Sequence, residues 1–599
     1  MCGFAGYIAK NQPDSSQLIE RMTQSLLHRG PDGMGHARAG ASEIGVARLA
    51  IVGGPQGKQP LKGENGSLLG WNGEIYNYRE LALPQVKSGS DSVVLHSLLE
   101  REGEHCLSRL RGPFALAHLS QDGRTVLLAR DEFGQRPLYF HSDGVRLHFG
   151  SEMRALFAAG VPRCVDEEAL KDYLSLQFYA PGRTLFADVE QVAPGAWVRF
   201  EVSAEGIRKT GEGRFRFQDR IDATDLTAEA IAGLLEEACA LQSAPEAPAG
   251  IMLSGGLDST VVASALMSQG QGTLQAFVGY PTDTPEMDER HWSRMAAEHC
   301  GVSLQEIPVS GAAVAEALPE VVRTLEMPIA GPGSVAQFIV AREASQTCRV
   351  VFGGQGGDEV FGGYERMQLL QALEAGQTTA SNPLYQPLMD QMQGAGSGVG
   401  SYFAAIHRSP QTAEERQATE RRFSFLLSKS QAAPRIVDRA VAFEMDVQLP
   451  GLLHVDDRVT ARFGMEGRNP LLDQRLVSRV RQLPMSVRSP LLAPRDLFRS
   501  AFTAHLPRPI ANRRDKMGFP LPLDRWLRNE LRSLVGDTFS SQRTIESGYV
   551  TRSQALRYAD LRDVNPREVF GYLMLDLWRR AFLDAPQTEI HTQGAQSIA

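Results

Sequence analysis

The 599-residue chain is poor in cysteine and has no long apolar run. Its six cysteines, Cys2, Cys106, Cys164, Cys239, Cys300 and Cys348, are widely scattered and form no C-x-x-C pair. That excludes a disulfide framework and a zinc ribbon, and suits a reducing compartment. No apolar stretch approaches the ~18–20 residues that span a bilayer. The start, Met-Cys-Gly-Phe-Ala-Gly, lacks the basic segment and apolar run of a signal peptide. A cytoplasmic protein with no membrane partner is expected, in which Cys2 is no lipoprotein cysteine. Excess positive charge is missing too. Lys and Arg number 62 against 70 Asp and Glu, a net charge of −8, which gives no footprint for nucleic-acid binding. What the chain does have is core material, with 42% hydrophobic and 22% charged residues. At ~150 residues per domain it holds up to about four domains, most simply two large ones.

Two rhythms divide the chain. Up to about residue 200, apolar runs bounded by Gly, Asp and Pro read as strands: 4–9, 44–52, 67–76, 113–120, 125–133 and 146–152. A helix over 90–103 lies among them, so this part reads as sheet-rich α+β. Residues 206–219, GIRKTGEGRFRFQD, are polar and read as a linker. From about 225, helices (226–242, 257–270, 289–301, 334–345) alternate with strands (249–256, 274–280, 304–309, 349–354), the pattern of a parallel α/β sheet. Helical patterns dominate from 365 to about 583. Residues 584–599 read as a flexible tail.

Chemistry-bearing residues cluster in three places. If Met1 is removed, Cys2 carries both a thiol and a free α-amine. With an intrinsic pKa of ~7.7–8.0, that amine can act as base for its own side chain. HRGPDG (28–33), ARLAI (47–51), NGEIYN (72–77) and SGSD (88–91) follow it. A thiol that hydrolyses an amide substrate needs a cation for the α-carboxylate, acceptors for the α-ammonium and donors for the oxyanion. Arg48, then Glu74 with Asp91, then Asn72 with the Gly73 N–H can supply these. Second, SGGLDST (254–260) lies between a strand and a helix. Its glycines admit an anion to the helix N-terminus, and Ser254 and Ser259 can donate to phosphate oxygens. Asp258 would repel phosphate unless a cation intervened, which implies Mg²⁺. No G-K-[ST] follows, so this is not a Walker A loop. Third, VFGGQGGDEVFGG (351–363) places Asp358 and Glu359 where they could complete that metal site.

Met-Cys-Gly-Phe-Ala-Gly, HRGPDG, ARLAIV and WNGEIYN together resemble the N-terminal-nucleophile (Ntn) glutaminase domain of glutamine-hydrolysing asparagine synthetases. SGGLDST resembles the pyrophosphate loop of N-type ATP pyrophosphatases, and the resemblance runs from Cys2 to about Trp578. It implies a glutaminase domain over 1–210 with a four-layer αββα sandwich, and a synthetase domain over 225–583 with a parallel α/β sheet and a helical C-terminal part. It implies Cys2 as nucleophile, Asn72 and Gly73 at the oxyanion, and Arg48, Leu49, Ala50, Ile51, Val52, Asn72, Gly73, Glu74 and Asp91 around glutamine. For ATP it implies Leu253, Ser254, Gly255, Gly256, Asp258, Ser259, Val278, Gly353, Gly354 and Asp358, with Asp258 and Asp358 as Mg²⁺ ligands. Gln355 and Lys516 fall at the reacting carboxyl, and Arg458, Glu466, Arg468, Pro470 and Asp473 match a late signature. The implied partners are small molecules: glutamine, ATP, and aspartate or another carboxylate, with ammonia passing through an interdomain tunnel. A homodimer is left open.

Departures from the family pattern lie in the synthetase half. Gly353 stands where Ser or Thr is usual, Gln355 where Glu is frequent, and Arg462 where alanine is usual; GPGS (331–334) also differs. Gln355 cannot ionise, so it cannot take a proton from an ammonia adduct. Arg462, if it pointed into the acceptor pocket, would crowd aspartate there. The same chemistry on a different carboxylate is therefore the rival reading. A non-catalytic glutamine-binding protein is a second, and a plain glutaminase a third.

Overall fold

A computed structural model describes residues 1–10, 16–51, 57–82, 90–176, 179–219, 226–245, 247–329, 331–374, 421, 435–491, 493–514 and 521–584. Two six-stranded antiparallel sheets build the N-terminal part. In spatial order, one runs Glu190–Gln191, Tyr139–Ser142, Arg146–Gly150, Gly3–Ala9, Ser42–Arg48, Gly33–Ala39. The other runs Ile207–Arg214, Ala196–Val202, Thr125–Arg130, Phe114–Leu119, Leu68–Gly73, Leu61–Lys62.

Strand alternation explains the layering. Phe4 and Ile8 point into a core shared by both sheets with Val46, Leu119, Leu128 and Phe149. Ala5, Tyr7 and Ala9, on the other face, pack with Leu18, Met22 and Leu156 of the helices Ser16–Gln24 and Met153–Ala158. Outside the second sheet, Leu69, Trp71 and Leu116 meet Leu95, Leu98 and Leu99 of the helix Asp91–Glu102. Both faces of each sheet are thus covered, which is why the strands read as continuous apolar runs. The result is the αββα sandwich.

The expected linker is a strand instead. Ile207–Arg214 pairs with Ala196–Val202 along its length. It is an edge strand with mostly exposed side chains, and edge strands carry charge rather than an apolar pattern. From 585 on, the expected tail lies outside the described residues.

The second half is built on a five-stranded parallel sheet in the order Ser303–Val309, Leu274–Pro281, Ala249–Met252, Val350–Phe352, Glu466–Arg468. The last strand, 114 positions after Phe352, was not expected from the sequence. The chain reverses direction of travel across the sheet between Ala249–Met252 and Val350–Phe352. Crevices at the carboxyl ends of such neighbours are where open α/β sheets bind ligands. Among the described residues, no helix is long and apolar enough to cross a membrane.

Candidate active sites

Cys2 leads directly into the strand Gly3–Ala9, which anchors it in the sandwich. Its Sγ lies 3.9 Å from the Leu49 carbonyl and 4.0 Å from Gln59 Nε2. Burial pushes the thiol above its usual value, against the pull of the terminal amine and the Leu49 hydrogen bond. Asn72, at the end of the strand Leu68–Gly73, is fully buried, and neither Nδ2 nor Oδ1 has a partner among the described residues. An unsatisfied buried amide is costly, and a group on which charge develops would satisfy it. At Gly73 φ is +148°, and a Cβ would come within 2.1 Å of the Pro113 carbonyl oxygen. Only glycine fits there.

Arg48 ends the strand Ser42–Arg48, Leu49 is buried, and the Ala50 N–H donates to Asp32 Oδ2 at 2.7 Å. Ile51 packs at the edge of the second half's core. Asp91 opens its helix; its carboxylate accepts from Ile75 N at 3.2 Å and Ser92 N at 2.7 Å, and burial pushes it up to about 6. Glu74 lies 3.7 Å from Arg468. Val52 lies outside the described residues.

In the second half, Leu253, Ser254, Gly256, Asp258, Ser259, Val278, Gly353, Gly354, Gln355 and Asp358 line one cavity of about 470 Å³. It sits at the carboxyl ends of the two strands flanking the switch point, and the helix Leu257–Ser268 starts at its wall. Of the residues expected around ATP, Gly255 does not line the cavity and lies against Trp292. Lys516 lies outside the described residues.

Sequence reasoning missed Arg495, a buried cation bound to two carboxylates of this wall. Its Nη1 donates to Asp258 Oδ2 at 3.0 Å and to Asp358 Oδ1 at 2.9 Å. Arg495 is buried with φ +58°, an uncommon conformation for a residue with a side chain. Two carboxylates that reach one guanidinium nitrogen can flank one cation, and their hard oxygens suit Mg²⁺. Asp258 and Asp358 therefore fit the expected metal. Arg462, by contrast, does not line the cavity: it pairs with Glu320 at 2.7 Å.

The late signature holds the two halves together. Arg29, from HRGPDG, donates to the Cys2 carbonyl at 3.2 Å, to Glu152 at 2.8 Å and twice to Asp457 at 2.9 and 3.1 Å. Arg458 lies 2.7 Å from Glu152, and Asp473 accepts from Arg111 Nε at 2.7 Å. Pro470 starts a short buried turn between them.

An asparagine synthase family model matches residues 230–580, and a glutamine amidotransferase domain model matches residues 1–211. The chain is 27% identical over 621 residues to asparagine synthetase [glutamine-hydrolyzing] 1 of Bacillus subtilis (strain 168), covering 96% of each. It is 28% identical over 588 residues to a putative asparagine synthetase [glutamine-hydrolyzing] of Mycobacterium tuberculosis (strain ATCC 25618 / H37Rv), covering 88% of each. Among solved structures, a glutamine phosphoribosylpyrophosphate amidotransferase from B. subtilis shares 18% identity over 51% of this chain and 65% of its own, with a TM-score of 0.27.

Proposed function

The chain belongs to the asparagine synthase family and is an ATP-dependent amide ligase, and from that premise we propose its reaction, substrates and working residues. Two domains divide the work, a glutaminase over 1–210 and a synthetase over 225–583. In the first, Cys2 freed of Met1 attacks the carboxamide of glutamine. Its α-amine takes the thiol proton, a γ-glutamyl thioester forms and ammonia leaves. Asn72 and the Gly73 N–H donate to the oxyanion, Arg48 receives the α-carboxylate, and Glu74 and Asp91 receive the α-ammonium. Leu49, Ala50 and Ile51 frame the substrate, and the family resemblance adds Val52.

In the second domain an acceptor carboxylate attacks the α-phosphorus of ATP, giving an acyl-adenylate and pyrophosphate. Ammonia from the first site then displaces AMP. Activation is necessary because a free carboxylate is a poor electrophile. Ser254, Ser259 and the helix N-terminus cradle the phosphates. Asp258 and Asp358 would hold Mg²⁺, which neutralises phosphate charge when bound. The family resemblance assigns Gln355 and Lys516 to the reacting carboxyl.

The observation that carries this reading is the cavity lined by five segments of the chain, among them those around Ser254, Val278 and Gly353. Aspartate is the first acceptor to test, as the family name implies. A larger carboxylate is the second reading. A further cavity of about 160 Å³ shares Ile329, Gly331, Leu452 and Val455 with the first, and it offers room beyond a small amino acid. Pyrophosphate release from ATP with glutamine, measured across aspartate and other carboxylates, tests both. Release with no acceptor in the panel above the acceptor-free rate would refute the ligase assignment.

A further inference from the structure

The strand Glu466–Arg468 belongs to the ATP-binding half, yet its side chains end in the glutamine site. Glu466 is buried; its Oε2 lies 3.8 Å from the terminal ammonium of Met1, and its Oε1 accepts from Arg468 Nε at 2.7 Å. Arg468 is anchored by a 2.6 Å bond from Nη1 to the Gln242 carbonyl, and it carries Nη2 to 3.7 Å from Glu74. Glu466 and Asp91 both act on Glu74. Burial raises the Glu74 carboxyl well above its usual value, and the charges of Glu466 and then Asp91 raise it further. Glu466 itself is held low: burial pushes it up, but Arg468, the Met1 ammonium and Arg136 outweigh that.

The ammonium seated here belongs to Met1, which is buried and which the Cys2 chemistry requires to be removed. Its departure opens the space beside Glu466 Oε2, while Glu466 Oε1 keeps Arg468 as its ion-pair partner at 2.7 Å. The new terminal amine, on Cys2, must be neutral to act as a base, and a carboxylate holding it would keep it protonated. Glu466 is therefore suited to a different ammonium.

We propose that Glu466 is a glutamine-binding residue whose carboxylate accepts a hydrogen bond from the substrate's α-ammonium, at the place Met1's ammonium marks. The glutamine pocket is then completed by the other half of the chain. This rests on the glutaminase reading above. The same strand also touches the loop of the second site, because the Gly353 N–H donates to the Arg468 carbonyl at 2.9 Å.

The test uses the full-length protein with Met1 removed, as verified by mass, and follows amide hydrolysis without ATP. Wild type, E466Q and E466D are compared on glutamine and on 4-carbamoylbutanoate, which lacks the α-amine. E466Q should raise the glutamine KM about tenfold or more while kcat stays within about twofold, the signature of lost ground-state binding. Hydrolysis of 4-carbamoylbutanoate should be unchanged, and E466D should recover part of the loss. Equal penalties on both substrates, or a fall in kcat at constant KM, would overturn the proposal. If E466Q does not fold, E466D alone must still penalise glutamine more than the analogue, or the proposal fails. A wild type that hydrolyses no glutamine would defeat the glutaminase reading instead.

Discussion

Neutralising Asp457 tests how the two halves are held in register. Arg29 meets Asp457 through two parallel bonds, 2.9 and 3.1 Å, with the side chains 0% and 1% exposed. Arg136 stands 3.6 Å from the same carboxylate. In Asp457→Asn the amide oxygen still accepts from one Arg29 nitrogen, but its NH₂ faces the other, so one donor is stranded. Breaking a buried pair costs about 3–5 kcal/mol, because the remaining charge is buried without compensation. Arg29 keeps Glu152 at 2.8 Å, so the lower end, about 3 kcal/mol, is expected here. Since Arg29 also holds the Cys2 carbonyl, the loss should show as poorer coupling, with more glutamine consumed per amide formed. Denaturant unfolding measures the first effect, and product stoichiometry the second. The Arg29→Met/Asp457→Asn double variant should be less destabilised than the sum of the two singles. Strict additivity, or a loss under about 1 kcal/mol for Asp457→Asn, would refute the pairing as the source of stability.

Four further outcomes follow from the sites. Cys2→Ala should abolish glutamine-dependent synthesis and leave ammonia-dependent synthesis intact, as should a retained Met1; residual glutaminase in Cys2→Ala would remove Cys2 as nucleophile. Asp258→Asn should lose at least about a hundredfold in pyrophosphate release, equivalent to ~3 kcal/mol, with glutamine hydrolysis spared; normal release would dismiss the metal assignment. Arg462→Ala should leave acceptor kinetics within about twofold and stability within ~1 kcal/mol, because its Glu320 partner is 41% exposed; a larger change in acceptor kcat/KM would return Arg462 to the pocket. Burial raises Asp91 to about 6, so its charge is lost as pH falls through that value. The glutamine KM should be flat above pH 6 and rise up to about tenfold per unit below it, and a flat profile down to pH 5 would contradict the role given to Asp91.

The sandwich was legible because its strands are buried on both faces, and the strand-to-helix turn at 254–260 because SGGLDST interrupts an apolar run before a helix. What escaped had its signal masked by charge or brevity. Ile207–Arg214 reads as a linker because an exposed edge strand needs no apolar alternation. Glu466–Arg468 is a fully buried strand of three residues, two of them charged, so no hydrophobic pattern marks it. Those charges are tolerated because Arg468 Nε pairs with Glu466 Oε1 within the strand, with Met1 and Glu74 brought alongside from the other half. The helix Gly311–Leu325 carries Pro319 inside it, a residue that breaks helical readings. Gln59 and Arg495 reach their sites from segments without a recognisable motif.

The departures at 353 and 355 make sense as exchanges with nearby residues. A Cβ on Gly353 would come within 2.6 Å of Asn469 Oδ1, an oxygen with no partner among the described residues. Asn469 Nδ2 donates to Asp456 Oδ2 at 3.0 Å, and Gln337 Nε2 donates to Asp456 Oδ1 at 3.2 Å. The polar group that a Ser or Thr would supply at 353 is therefore supplied from 469, and the two cannot occupy the space together. The change at 355 follows the same logic. Gln355 removes an ionisable group from the cavity wall, yet Glu359 lines the same cavity and is pushed up to about 7, by burial first and the Asp358 charge second. A carboxyl group thus remains on the cavity wall although position 355 carries none.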